Sequence, residues 1–448
     1  MRRRREPRIK RPNTVFLSGL FLVIIAIILL PGFSEKEEAK IVEPEIIYSS
    51  SPFYMAINES MKQLDIRYGE ITELREIGES VDGHSILAIS IGDGEDNVLI
   101  LGGMHGREAI TSVLLLDQIE EILIAYTSED AYSYGGYQTK KILDDVCLWF
   151  VPLMNPDGAE ISLNKGITLN NQVLLNSINQ EEQDLGKWKA NLNGVDLNRN
   201  FTRDKFGTVE DNGHAYYPGS EPFSEPETRA IVEFTNEMNF VGVLNVHAAG
   251  EIIYWDMPYE EIAQRISKLT GYSLVPPSEN PPMGTYDTWY LSETGNPVLT
   301  IEIGEGFLMG PMEFEKYDGI WEKNWLTPIV FAREMQKVQD VAIFFQGEEL
   351  QLTIPPIREQ SGQVLIPLRE TMEKIGAEVQ WEKQSKIVRI SIGGITKNIS
   401  QKSPAKIIGG TTYLPMRDLL EAFNYNLDWD NYTKTAFITE LEDEVSAI

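Results

Sequence analysis

Four stretches constrain what this chain can fold into: "NVLILGG", "DVCLWFVPLMN", "FVGVLNVHAAG" and "NPVLTIEIG". Each is apolar without a two-residue alternation, the pattern of a strand covered on both faces. Between them lie segments with apolar residues at helical spacing, such as "AITSVLLLDQIEEILIAY". Buried strands interleaved with helices predict an α/β domain over 52–338, with a mixed, mostly parallel sheet flanked by helices. One helix start is marked by "PFSEPETRAIVEFTNEM": Ser224 suits an N-cap, Glu227 three residues on completes a capping box, and Pro226 falls in the first turn.

At 448 residues the chain is too long for one compact core. Its tail repeats with an offset of 48: Pro367 matches Pro415, Arg369 matches Arg417, Trp381 matches Trp429 and Lys386 matches Lys434. Each unit reads as a short strand, a helix and a hairpin, so 341–440 is expected to be a small α+β repeat domain. At fixed repeat positions, the Trp and Arg are read as packing each helix on its hairpin. The basic head, 1–13, precedes 20 uncharged residues, 14–33, and a charged linker, 34–51. That run is long enough for one N-terminal transmembrane helix, and arginines before it favour an inside head and an extracellular body. A cleaved signal peptide is the rival reading, but no A-x-A-like site ends the run. The net charge of −29, from 39 basic and 68 acidic residues, argues against nucleic acid as a partner. The single cysteine, Cys147, lies in an apolar stretch and reads as a buried core thiol.

Of four histidines, His105 and His247 fall at the ends of predicted strands, where open α/β sheets form their ligand crevices. His105 and Glu108 in "GGMHGREA", joined by His247, would give a metal three ligands and leave one position open, the arrangement of a catalytic zinc. An H-x-x-E alone is equally compatible with an ordinary polar turn. Metal-assisted hydrolysis also needs a proton shuttle, and Glu302 in the apolar strand "TIEIG" is costly there unless something requires it; the alternative is the solvent face of an edge strand. In "NGVDLNRNF", Asn198 and Arg199 could grip a carboxylate, or the arginine could bind loop carbonyls. His84, in the polar turn "SVDGHSI", reads as solvent-facing, and His214 as structural or substrate-loop packing.

The ordered set "GGMHGREA", "MNPDG", "NGVDLNRNF", "YYPGSEPFSEPET", "LNVHAAG" and "TIEIG" resembles the zinc metallocarboxypeptidases of the pancreatic carboxypeptidase type. The resemblance implies one Zn²⁺ held by His105, Glu108 and His247, Glu302 as general base and acid, and Asn198 and Arg199 on the substrate's terminal carboxylate. It also places Lys189, in "GKWKAN", where the family has an arginine that polarises the scissile carbonyl, and His84 where arginine is usual. Tyr286 or Asp287, in "MGTYDTW", would set specificity. The family's catalytic tyrosine is missing: "SENPP" stands there, and Tyr272 or Tyr286 are the available substitutes, or nothing is. "WKAN" and "TGYSLVPPSE" are similar to bacterial enzymes that cut peptidoglycan stem peptides beside a diamino acid. The tail resembles the stalk-type domain found beside some copper amine oxidases, which implies a cell-wall or spacer module. The expectation is therefore a membrane-anchored zinc peptidase acting outside the cell on peptide or stem-peptide substrates. A general carboxypeptidase, or a non-catalytic wall-binding protein that keeps the fold, are the alternatives.

Overall fold

The computed structural model describes residues 40–440, apart from 129–138, 180–183, 203–212, 279–283, 307–309, 337–340, 355, 359–362, 383–386, 401–404, 409–410 and 431–434. The basic head and the apolar run of 14–33 lie outside the described residues. Among those described, no helix is long and apolar enough to cross a membrane.

Eight strands form the central sheet: β1 (Thr72–Glu79), β2 (Ser85–Ile91), β3 (Asp96–Leu101), β4 (Val146–Val151), β5 (Gly242–Ala248), β6 (Ile252–Tyr254), β7 (Ser273–Val275) and β8 (Val298–Ile303). Their order is β1-β2-β4-β3-β5-β8-β6-β7. The four apolar stretches are β4, β3, β5 and β8, side by side and parallel in the middle. The β1–β2, β2–β4 and β6–β8 pairings are antiparallel, so the sheet is mixed. Parallel strands need helical crossovers that cover both faces, which is why these four lack alternation. The helix Ile110–Thr127 is buried along most of its length and packs with β2, β3 and β4 residues in one apolar cluster. Each fully buried Leu or Ile there contributes about 1.5–3 kcal/mol.

Two local readings are corrected. The helix of the expected capping box runs Pro226–Met238 and its N-cap is Glu225, with no side-chain cap. Ser224 Oγ instead accepts from Asn200 Nδ2 (2.9 Å) and donates to Glu225 Oε1 (2.7 Å), while the Glu227 carboxylate accepts from Val81 N (3.1 Å) and Asn191 Nδ2 (3.0 Å). Tertiary partners for both side chains displace the local cap. Of the segment read as a linker, 41–48 packs on the domain: Val42 and Ile47 are buried, and Glu120 accepts from Ile41 N (2.6 Å) and Val42 N (2.8 Å).

In the tail, each repeat is a strand, a helix and a hairpin as expected: Val364–Pro367, Leu368–Lys374, then Glu378–Glu382 with Ile387–Ile392; and Thr411–Pro415, Met416–Glu421, then Tyr425–Asp430 with Thr435–Glu440. The two leading strands pair antiparallel, so the repeats share one apolar core. The match between Lys386 and Lys434 lies outside the described residues. The packing reading holds for Trp429, which lies against that core, and fails for Trp381, which is 41% exposed. Arg369 does tie its helix to its hairpin, donating to Val379 O at 3.1 Å.

Candidate active site

β3 ends at a place with no room for a side chain. A Cβ at Gly103, whose φ is +61°, would meet the Pro152 carbonyl oxygen at 2.7 Å. The chain turns there and delivers His105 to the carboxyl edge of the sheet. Glu108 closes the 3₁₀ turn Gly106–Glu108. This turn is pressed on the helix Pro156–Asn164: a Cβ at Gly106 would lie 2.2 Å from the Gly158 carbonyl oxygen. Asn155 holds both segments in place, donating from Nδ2 to Met104 O and Ala190 O, each at 3.1 Å. β5 brings in His247, next to the end of that strand.

These three residues converge. The Nδ1 atoms of His105 and His247 are 3.1 Å apart, and Glu108 offers Oε1 to one and Oε2 to the other at 2.9 Å. All three are buried. Tetrahedral ligands on zinc bonds of about 2.0–2.1 Å stand roughly 3.3 Å apart, so this donor set fits zinc. Burial pushes the Glu108 carboxyl up, but the two imidazoles outweigh it and hold the group well below the usual carboxylate range. Behind the cluster, Asp196 Oδ1 lies 3.3 Å from His105 Nε2 and Oδ2 lies 3.3 Å from Lys189 Nζ. Burial opposes its charge; Lys189, His105 and Arg199 override that and keep the Asp196 carboxyl well below its ordinary value. An anion placed there orients the outer ring nitrogen of a ligand imidazole.

Glu302 stands on β8 directly across from His247 on β5 and Ile252 on β6. Burial among these strands, with the Glu108 carboxylate next, pushes the Glu302 carboxyl up to about 7. A carboxyl in that range can both accept and release a proton near neutrality. On the turn Leu197–Arg199, Asn198 Oδ1 accepts from Tyr286 N at 3.0 Å, which fixes the amide's orientation. Arg199 Nη1 donates to Asn198 O at 2.6 Å. The Tyr216 ring lies 4.9 Å from Lys189 Nζ and 6.0 Å from the Arg199 guanidinium carbon, so one aromatic face serves both cations. A cavity of about 260 Å³ is lined by His105, His247, Glu302, Lys189, Asn198, Arg199 and Asp287.

Three expectations are overturned by packing. Tyr286 does not line the cavity. Its ring is 0% exposed, its hydroxyl bonds Thr235 Oγ1 at 3.0 Å, and it shares one helix face with Trp289 and Tyr290 that turns to the core, leaving Asp287 on the cavity side. Tyr272 is no substitute for the missing tyrosine: it is buried, with its hydroxyl accepting from Asn324 Nδ2 at 2.7 Å. Most of "SENPP" lies outside the described residues, and among those described the tyrosine that lines the cavity is Tyr254. His84 is not solvent-facing. It is 6% exposed, stacked on Tyr54 with centroids 3.9 Å apart, and its Nδ1 lies 2.7 Å from Asp157 Oδ1. His214 bonds through its backbone, its carbonyl accepting from Lys189 N (2.8 Å) and Ala190 N (3.0 Å). Cys147 is buried, and burial pushes its thiol up to about 11.

The sequence reading missed Asp196, Tyr216, Tyr254, Asp256, Asn245 and Thr300. Strand periodicity could have found two of them. Asn245 is two residues before His247 and Thr300 two before Glu302, so each shares the site's face of its strand, and the two are paired in register. Together they hold Asp287: Asn245 Nδ2 donates to Oδ1 at 2.9 Å and the Thr300 hydroxyl to Oδ2. Asp256 also lines the cavity, and burial, then the Asp287 charge, raise its carboxyl above the ordinary value.

The zinc carboxypeptidase family profile matches residues 57–307, more than half of the chain, and the copper amine oxidase N-terminal domain matches 344–400 and again 395–447. The chain is 28% identical over 283 residues to gamma-D-glutamyl-L-diamino acid endopeptidase 1 of Lysinibacillus sphaericus, covering 60% of this chain and 69% of that protein. It is 30% identical over 207 residues to the human carboxypeptidase N catalytic chain, covering 43% and 40%. Its fold is similar to that of thrombin activatable fibrinolysis inhibitor, with a TM-score of 0.53 and 18% identity over 65% of this chain and 77% of that one. With its metal-binding triad and these relatives, the chain belongs to the zinc carboxypeptidase family and is a zinc metallopeptidase.

Proposed function

We propose that this peptidase hydrolyses the bond preceding a diamino acid in peptidoglycan stem peptides, at the outer cell surface. The observation that carries the reading is the charge layout of the 260 Å³ cavity, which holds Arg199 and Lys189 together with Asp256 and Asp287. A residue with both a carboxylate and an extra ammonium complements such a pocket; an ordinary C-terminal residue leaves the acids unmatched. The Lysinibacillus relative is named for a γ-D-glutamyl-L-diamino acid bond, which supports the same substrate class. The apolar run of 14–33, long enough to cross a bilayer as a helix, is the feature that motivates placement at the outer surface.

His105, Glu108 and His247 would hold the zinc, which when bound would supply Lewis acidity toward the scissile carbonyl and acidify the attacking water. Glu302 takes the proton from that water on a carboxylate oxygen and delivers it to the departing amine. Arg199, with Asn198 beside it, holds the leaving residue's carboxylate. Lys189, fixed by Asp196 and Tyr216, supplies positive charge near the carbonyl oxygen, as a point charge without an arginine's planar fork. Asp287 receives the ammonium.

The test is to incubate the zinc-loaded chain with stem peptides and with plain peptides and to follow products by mass spectrometry. Release from stem peptides alone supports the proposal. Release from both favours a general carboxypeptidase, and zinc binding with no release from either favours a wall-binding protein.

A further inference from the structure

The repeat domain carries a second cavity, an open groove of about 880 Å³. It lies between the helix Leu368–Lys374 and the hairpin strand Glu378–Glu382 of the first repeat on one side, and the strand Thr411–Pro415 of the second on the other. The repeats place a tryptophan at matching positions, yet treat the two differently. Trp429 lies against the shared core. Trp381 opens on the groove. An indole offers about 150–250 Å² of apolar surface, and the 41% of Trp381 left exposed is surface that a ligand could cover.

What surrounds Trp381 tells which ligand fits. Arg369, more than half exposed, donates from Nη1 to Glu373 Oε1 (3.0 Å) and to Val379 O (3.1 Å), and Glu370, Glu373 and Lys374 line the same wall, so its charges are balanced locally. Thr411 and Thr412 line the opposite side; successive strand residues face opposite ways, and Thr412 shares its face with its cross-strand partner, the exposed Ile407, which also lines the groove. An aromatic plane flanked by both donors and acceptors matches a pyranose ring, which has an apolar C–H face and a rim of hydroxyls that donate and accept. The chain's net charge of −29 disfavours a polyanion. The volume lies within the range of a small-molecule site and holds several linked rings.

We propose that this groove binds a neutral oligosaccharide, with one sugar stacked on Trp381 and its hydroxyls on Arg369 and Thr412. The site is independent of the catalytic cavity and stands whether or not that cavity cleaves stem peptides.

The test titrates the full chain with N-acetylglucosamine tetramer and with cellotetraose, by calorimetry and tryptophan fluorescence. Saturable binding of at least one is expected. Trp381→Ala should weaken it about tenfold, and Trp381→Phe, which keeps an aromatic face, by much less, with thermal melting confirming that both variants fold. Should Trp381→Ala fail to fold, Trp381→Phe together with a ligand-induced fluorescence change that it abolishes decides the matter. Binding of neither oligosaccharide, or equal binding by wild type and Trp381→Ala, overturns the proposal. Peptidase activity on a soluble peptide should be the same in wild type and Trp381→Phe.

Discussion

Replacing His84 with alanine should destabilise the catalytic domain, and the cost should shrink as pH rises. The imidazole is wedged between Tyr54 and a buried anionic group. Nδ1 is 2.7 Å from Asp157 Oδ1, Nε2 is 3.6 Å from Asp82 Oδ2, and Asp157 also accepts from Ser80 Oγ (2.7 Å) and Asp82 N (2.9 Å). Burial favours the neutral ring, but the hydrogen bond to Asp157 and the charges of Asp157, Asp82 and Glu160 outweigh it and raise the His84 pKa. A folded pKa above the unfolded value of about 6.5 means that the ionic contribution is complete below that pH and is lost as pH climbs through the folded pKa. Removing one partner of a buried pair costs about 3–5 kcal/mol. Once the imidazole is neutral, a hydrogen bond to the charged carboxylate is still lost, about 1.5–3 kcal/mol, so the cost falls without vanishing. Urea unfolding of wild type and His84→Ala at pH 6 and pH 9, followed by tryptophan fluorescence, measures both. An equal loss at the two pH values would refute the ionic argument, and no loss at either would refute the pairing itself. His84→Arg should keep stability at pH 9, since guanidinium stays charged there. Because Asp157 opens the helix that presses on Gly106, His84→Ala should also weaken zinc binding.

Four further outcomes follow from the site. Glu302→Gln should lower kcat by about 10²–10⁴ while leaving zinc stoichiometry at one, read by steady-state kinetics and metal analysis. Chelation should abolish turnover and lower Tm, because zinc at 100 times its Kd stabilises the folded chain by about 2.7 kcal/mol; calorimetry with and without metal checks it. Gly106→Ala should reduce zinc affinity, since the methyl must push the His105–Glu108 turn away from Gly158. Tyr216→Leu removes the shared aromatic face of Lys189 and Arg199, worth about 0.5–2 kcal/mol, and should raise KM more than it lowers kcat.

How much of this was legible in the sequence depends on the range of the interaction that decides each residue. The four central strands were legible because burial on both faces writes itself into consecutive residues. The metal ligands were legible because each lies at or just beyond the carboxyl end of such a strand. The capping box at Ser224 failed because Asn200 and Asn191, more than 20 residues away, compete for the same side chains. His84 failed for the same reason: a polar turn looks solvated until Tyr54 and Asp157 are brought against it. Tyr286 and Asp287 are adjacent in sequence, yet helix geometry sends one to the core and the other to the cavity; only the position of the Thr285 cap decides which.

That distinction bears on how the pocket acquires its specificity. Asp287 is held by Asn245 on β5 and Thr300 on β8, each two residues from a proposed catalytic group on the same strand. Because side chains on a strand repeat every two residues, the register that sets His247 beside Glu302 also sets Asn245 beside Thr300. The distance from the metal cluster to the anionic floor is therefore fixed by rigid sheet and not by loop conformation. Asp287→Asn should then lose discrimination for a diamino acid while retaining zinc and the carboxylate grip proposed for Arg199. A variant that cleaves stem peptides with unchanged kcat/KM would show that the ammonium is recognised elsewhere, and the charge layout of the cavity would lose its explanatory force.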